Sequence, residues 1–225
     1  MPRFLRDPDH GPLPGLLLLL TLTTGMVDAV TIIRLGKVFT ANMTGNTVFI
    51  GLAAAGVPGF ALWGSLLSLS CFALGVALGG LVARRAANRA HMLRNTTACQ
   101  VLLLLAATLL SLTSVTHYLL LALCALTFGI QNAAVNVLEV PDLTTSVLTR
   151  TLTALIVNAH HAPAPVTLRR LLSVLCIFTG TLIGALLVLH TSVAATLTTA
   201  AITQTAVTIL VTLSNRRPAN WQRVS

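Results

Sequence analysis

The chain has 225 residues, of which 55% are hydrophobic and only 8% charged, and its mean hydropathy is +0.88. A water-soluble domain carries about a quarter charged residues, so the composition excludes one and makes lipid the solvent. The net charge of +9 does not imply a nucleic-acid partner, because the arginines sit in short clusters between apolar runs and only 4% of residues are aromatic, too few for a base-stacking platform.

In chain order, apolar segments fall at 13–33, 44–57, 60–83, 97–114, 117–138, 143–158, 171–190 and 193–213. Met1 to Thr24 has the outline of a signal peptide, with Arg3 and Arg6 ahead of Leu16–Leu20. Its cleavage region would fall near Asp28-Ala29, inside a motif that recurs later, so a retained first span is the reading adopted. Six segments have the length that crosses ~30 Å of hydrocarbon as a helix. Segments 44–57 and 143–158 are short for this and flanked by polar residues. Gly56-Val57-Pro58-Gly59 breaks the chain after the first, and Pro163 and Pro165 follow the second.

The two short segments occupy matching places because the chain repeats itself. Cys71, Gly75 and Gly79 recur 105 residues later as Cys176, Gly180 and Gly184, and Met43-Thr44 matches Leu148-Thr149. Gly25, Asp28 and Ala29 match Gly129, Asn132 and Ala133 at an offset of 104. A nearly constant offset through three segments reads as a duplication. Gly75xxxGly79 and Gly180xxxGly184 put small residues on one helix face, where neighbours can approach closely.

Charge decides between topologies. If all eight segments span, the cations divide almost evenly between the two sides. If the short segments dip in and return, Arg3, Arg6, Arg84, Arg85, Arg89, Arg94, Arg169, Arg170, Arg216, Arg217 and Arg223 all become cytoplasmic. Only Arg34 and Lys37 then face outside. Eleven cations against two obey the positive-inside rule. The expected fold is therefore an all-α membrane fold of six transmembrane helices plus two short re-entrant or half helices in an inverted internal repeat. It divides into a cytoplasmic tail at 1–12, repeats at 13–115 and 116–213, and a cytoplasmic tail at 214–225.

The densest polar stretch, Arg34 to Asn46, leads into the first short helix. Asn42, Thr44, Gly45 and Asn46 suit a helix start, where free backbone N–H groups and the positive helix pole can also receive an anion or a carbonyl dipole. The counterpart is Thr144-Thr145-Ser146 with Thr149, Arg150 and Thr151. In an inverted repeat the two starts would face each other near the midplane. They either line a cavity or simply cap two buried helices.

Gly25-Met-Val-Asp28-Ala29 with Leu35-Gly36-Lys-Val38-Phe39-Thr-Ala41-Asn-Met43-Thr44-Gly45-Asn46-Thr-Val48 resembles the signature of the bacterial YoaK-like family, as does Gly129-Ile-Gln131-Asn132-Ala133. That resemblance spans residues 13–213. It implies a multi-span protein of the bacterial inner membrane, and it brings no substrate with it. Thr149-Arg150 departs from the Thr-Gly expected in the second half, placing a bulky cation there.

Asp28 lies well inside the first span, where a carboxylate is costly unless paired or hydrated. It serves either proton or cation contact or a structural pair with Arg34 or Lys37. Asn132 keeps the polarity at the matching position without the charge. Gln131 and Asn132 serve as a binding site or as hydrogen-bonding glue between helices. Glu139 and Asp142 pair with Arg150 or mark the cytoplasmic interface. His160-His161 read as a solvated loop, and His117, Tyr118 and Trp221 as interface anchors.

Cys71, Cys99, Cys124 and Cys176 each lie in an apolar run without CxxC or zinc spacing, so they read as small buried hydrophobes. No metal site or cofactor is expected. No GxSxG, HExxH or GxxxxGK[ST] motif is present, so no catalytic residue is assigned and an enzyme is not expected. The leading expectation is a small-solute transporter or channel. Its candidate binding residues are Asp28, Asn42, Thr44, Gly45, Asn46, Gln131, Asn132, Thr149 and Arg150, and its partners are the lipid bilayer and a small polar or anionic solute. The alternative is a non-transporting assembly or sensing partner.

The topology predicts that a membrane-impermeant maleimide labels Val57→Cys from outside and His160→Cys only from inside. Labelling of both from the same side would reject it.

Overall fold

The computed structural model describes residues 10–113, 117–138, 140, 148–157 and 163–215; the side chains of Leu148 and Arg150 are not among those described. Glu139, Asp142, Thr144–Ser146, His160, His161 and Trp221 lie outside the described residues. Those described form eight helices and no strand: α1 (Leu13–Arg34), α2 (Met43–Ala54), α3 (Leu62–Arg85), α4 (Arg89–Ser111), α5 (His117–Leu138), α6 (Leu148–Val157), α7 (Ala164–His190) and α8 (Val193–Ser214). Six are long and apolar enough to cross a membrane. The protein is an all-α membrane protein.

Local sequence sets the helix ends. Pro14 stands in the first turn of α1 and Pro165 in that of α7, where the missing N–H costs nothing. Asn88 caps α4 by accepting from His91 N at 2.7 Å, and Ser192 caps α8 by accepting from Ala195 N at 3.0 Å. α4 and α7 therefore start earlier than the expected positions 97 and 171. Hydropathy registers only their apolar parts, whereas the caps lie upstream. Arg169 and Arg170, expected in a cytoplasmic connection, are buried in α7 at 6% and 5% exposure, and Arg170 donates to Ala154 O of α6 at 2.8 Å. Thr21, Thr24, Thr97 and Thr127 are buried yet satisfied, each hydroxyl donating to the carbonyl four residues back.

α1 and α5 are the most enclosed of the six long helices. Leu74, Leu78, Leu81, Leu182, Leu186 and Leu189 of α3 and α7 point outward, where lipid would meet them. The tightest contacts join helices distant in sequence. A Cβ on Gly25 of α1 would lie 2.5 Å from Ile177 O and 2.8 Å from Thr181 N of α7. Across the same seam Gly180 meets the Leu22 carbonyl, and a Cβ on Gly184 would lie 2.5 Å from Met26 O. The contact between α3 and α5 repeats this arrangement: Gly75 meets the Leu126 carbonyl, Gly79 meets Ile130, and Gly129 meets the Phe72 carbonyl.

These contacts also fix helix directions. Leu22–Gly180 and Met26–Gly184 advance together, so α1 and α7 are parallel, and Leu126–Gly75 and Ile130–Gly79 make α3 and α5 parallel. In contrast, Gln204 bonds Gln100 while Thr208 bonds Thr97, so α4 and α8 are antiparallel. The chain reverses through short connections between α3 and α4 and between α7 and α8. Together these relations set α1 against α3 and α5 against α7. The short helices between them therefore add no crossing. α2 has 12 residues, about 18 Å at 1.5 Å per residue, too short for ~30 Å of hydrocarbon.

Exchanging α1–α4 with α5–α8 maps the helix contacts onto one another. α3 packs on α5 as α7 packs on α1, α4 on α5 as α8 on α1, and α2 on α3 as α6 on α7, while α4 with α8 maps onto itself.

Gly180→Ala is expected to lower the unfolding midpoint in detergent, because overpacking against a backbone carbonyl costs about 1–3 kcal/mol. Gly80→Ala serves as the control: its added methyl meets nothing within 4 Å, and helix propensity favours it by up to about 1 kcal/mol. Equal melting of the two variants would contradict the close-contact account.

Candidate functional site

The segment after α1 folds back on it. Gly36 and Lys37 adopt left-handed backbone, with φ of 93° and 57°, and the chain reverses there. Thr40 is thereby brought to Asp28, whose Oδ1 accepts from Thr40 N at 2.9 Å and from Thr40 Oγ1 at 2.7 Å. Asn46, the buried residue of α2, secures the same segment: its Oδ1 accepts from Phe39 N at 2.9 Å and its Nδ2 donates to Phe39 O at 2.7 Å. Ser68 of α3 also donates to Phe39 O, at 2.6 Å. The Phe39 ring stacks on Phe49 with centroids 5.7 Å apart.

This clamp shapes a cavity of about 470 Å³. Asp28 and Ile32 of α1 and Phe39 of the connection form one wall. Asn42, Thr44, Gly45 and Val48 bring the start of α2 to it, Thr149 brings the start of α6, and Ile177 and Thr181 belong to α7. Asn42 caps α2 by accepting from Gly45 N at 3.3 Å. Asp28 is only 8% exposed. The Ala41 backbone N–H also bonds to the carboxylate, and Asp28 has no ion pair among the described residues. Arg34 and Lys37 are exposed, so the structural pair weighed for Asp28 is not made.

Of the candidate residues, Asp28, Asn42, Thr44, Gly45 and Thr149 thus share one cavity. Three lie elsewhere. Asn46 is fully buried and occupied by Phe39 and Ser68. Gln131 is fully buried in an amide cluster, where its Nε2 donates to Thr24 Oγ1 at 2.9 Å and its Oε1 accepts from Gln204 Nε2 at 3.3 Å. Asn132 donates to Phe128 O at 3.0 Å. Arg150 belongs to the first turn of α6, and its side chain lies outside the described residues.

A family model described as a protein of unknown function (DUF1275) matches residues 16–210. The chain belongs to the DUF1275 family. It is 35% identical over 145 residues to the UPF0700 transmembrane protein YoaK of Bacillus subtilis (strain 168), which bears out the resemblance carried by Gly25–Asp28 and Leu35–Val48. The match covers 63% of this chain and 64% of that relative's length. No solved structure matches the chain.

In this DUF1275 protein, sequence reasoning passed over Thr40, the apolar lining and three further polar residues, Gln100, Gln204 and Thr181. Gln100 and Gln204 are fully buried where α4 crosses α8, and Gln204 Nε2 donates to Gln100 Oε1. Their signal was present: two glutamines in apolar runs, 104 residues apart. Thr181 had none beyond its place inside Gly180xxxGly184.

Asn46→Ala is expected to destabilise the protein more than Thr44→Ala. It leaves the Phe39 amide without its partner, and an orphaned buried group costs about 1–3 kcal/mol, whereas Thr44 faces the cavity. Comparable unfolding midpoints in detergent would show that Asn46 is not the clamp.

Proposed function

We propose that the protein is a small-solute transporter or channel of the bacterial inner membrane, with both termini cytoplasmic, and that it binds and passes its solute without bond chemistry. The observation that carries this reading is the convergence of two helix starts, α2 from the first half and α6 from the second, on one cavity beside an unpaired carboxylate. Short helices that stop inside the bilayer bring polar backbone and hydroxyl groups to a depth where continuous helices present only side chains. Thr44 and Thr149, matching positions of the repeat, line it together.

An inverted duplication underlies the site in this reading. The repeated offset of 104–105 residues, the exchange of helix contacts and the antiparallel α4 and α8 support it. The helices then form two blocks, α1 with α6, α7 and α8, and α2 with α3, α4 and α5. The cavity lies where the start of α2 meets the other block. Rocking of one block against the other along α4 and α8 would open the cavity to each side in turn, whereas a channel would leave it open to both.

Two measurements test the proposal. Purified protein in liposomes is screened for flux of protons, inorganic ions, small organic acids and small amines. A Thr44→Cys/Thr149→Cys variant, linked by a short thiol-reactive cross-linker, is expected to lose flux at least 10-fold and to regain it when the link is cleaved. Flux that survives complete cross-linking would place the pathway elsewhere. A well-folded protein that moves no solute would favour the assembly or sensing role.

A further inference from the structure

Resting on the transport reading of the same cavity, we infer that its ligand is a small organic monocation carrying an ammonium group. Four features of the wall argue for this.

The first is charge. Asp28 is the charged side chain that lines the cavity among those described, and it is nine-tenths buried with no ion pair. A carboxylate away from water demands a positive partner or a proton. Thr40, through both amide and hydroxyl, and the Ala41 amide hold the carboxylate in the cavity wall, but these neutral donors leave its charge without a counter-ion, which the ligand would supply. An anion would meet this charge at close range.

The second is stoichiometry. A single carboxylate balances one charge, and among the described residues no group of three His, Cys, Asp or Glu side chains could hold a metal ion. The third is size. At about 470 Å³, against roughly 30 Å³ for a water molecule, the cavity is too large for a stripped inorganic ion and has room for an organic cation with a few waters.

The fourth is the rest of the lining. Ile32, Phe39, Val48 and Ile177 would face the ligand's carbon skeleton. Thr44, Thr149 and Thr181 bring to the lining hydroxyl groups, whose oxygens can accept N–H bonds. The Thr181 hydroxyl proton already goes to Ile177 O at 2.9 Å, leaving its lone pairs available. At the start of α2, the side chain of Asn42 takes the Gly45 amide, which removes one of the donors an anion would use.

The full-length protein is assayed for binding of labelled methylammonium in detergent and for its uptake into liposomes, with potassium and acetate as competitors. Saturable binding is expected to fall at least 10-fold in Asp28→Asn, whose amide oxygen can still accept the two Thr40 bonds and preserve the fold. Thr149→Val is expected to weaken binding several-fold while melting as the parent does. Methylammonium binding unchanged by Asp28→Asn, or displaced by acetate but not by other amines, would overturn the inference, as would binding of potassium in its place. Amine binding without flux upholds the ligand class and rejects transport. Flux of anions without amine binding upholds transport and rejects the ligand class.

Discussion

Close passage of two helix pairs, α1 along α7 and α3 along α5, is the constraint on which the architecture depends. Each pair approaches until a glycine Cα lies against a carbonyl of its neighbour, and no side chain larger than hydrogen fits. In lipid, apolar helices gain little by exchanging lipid contacts for one another. Depth of approach is what makes these partners preferred. Because both pairs join the first half of the chain to the second, neither half is a self-contained bundle. The remaining long helices, α4 and α8, fill the crossing between the pairs.

This arrangement explains why the polar groups sit where they do. With α1 held against α7, Asp28 faces the start of α2 and the start of α6, and Ile177 and Thr181 close the wall behind it. The chain cannot supply a second charge cheaply at that depth. It uses backbone and hydroxyl donors from Thr40 instead, and Asn46 with Ser68 keeps that segment in place. Positioning and lining are thus divided between neighbouring residues of one short helix.

The same division explains how far the sequence could be read. Six spans and two short helices were legible because hydropathy and length report them directly. The glycine pairs were legible because their spacing repeats. Asp28 stood out as a costly charge, yet its partner did not: Arg34 and Lys37 were the obvious ions, whereas a backbone amide twelve residues away leaves no mark in the sequence. Asn46 resembled Asn42, Thr44 and Gly45 in chemistry and differed from them only in direction. A helical wheel sets Thr44 and Val48 on one side and Asn46 on the other, but it cannot say which side is hollow. The apolar lining, Ile32, Phe39, Val48 and Ile177, was invisible for the opposite reason, since such residues occur everywhere in this chain. The starts of α4 and α7 were missed because arginines in their first two turns, Arg89 and Arg94 in one and Arg169 and Arg170 in the other, interrupt the hydropathic signal.

Pairing α1 with α7 also bears on biogenesis. During synthesis α1 is made before α7, and the surface that receives its glycine face follows some 130–160 residues later. Until then Gly25 has only lipid or the insertion machinery beside it, and Asp28 lacks the wall that α7 completes. Helix α1 must therefore wait for five intervening helices and α7 itself before its surroundings are finished, and a chain stalled before α7 would expose an acidic, glycine-marked surface to quality control.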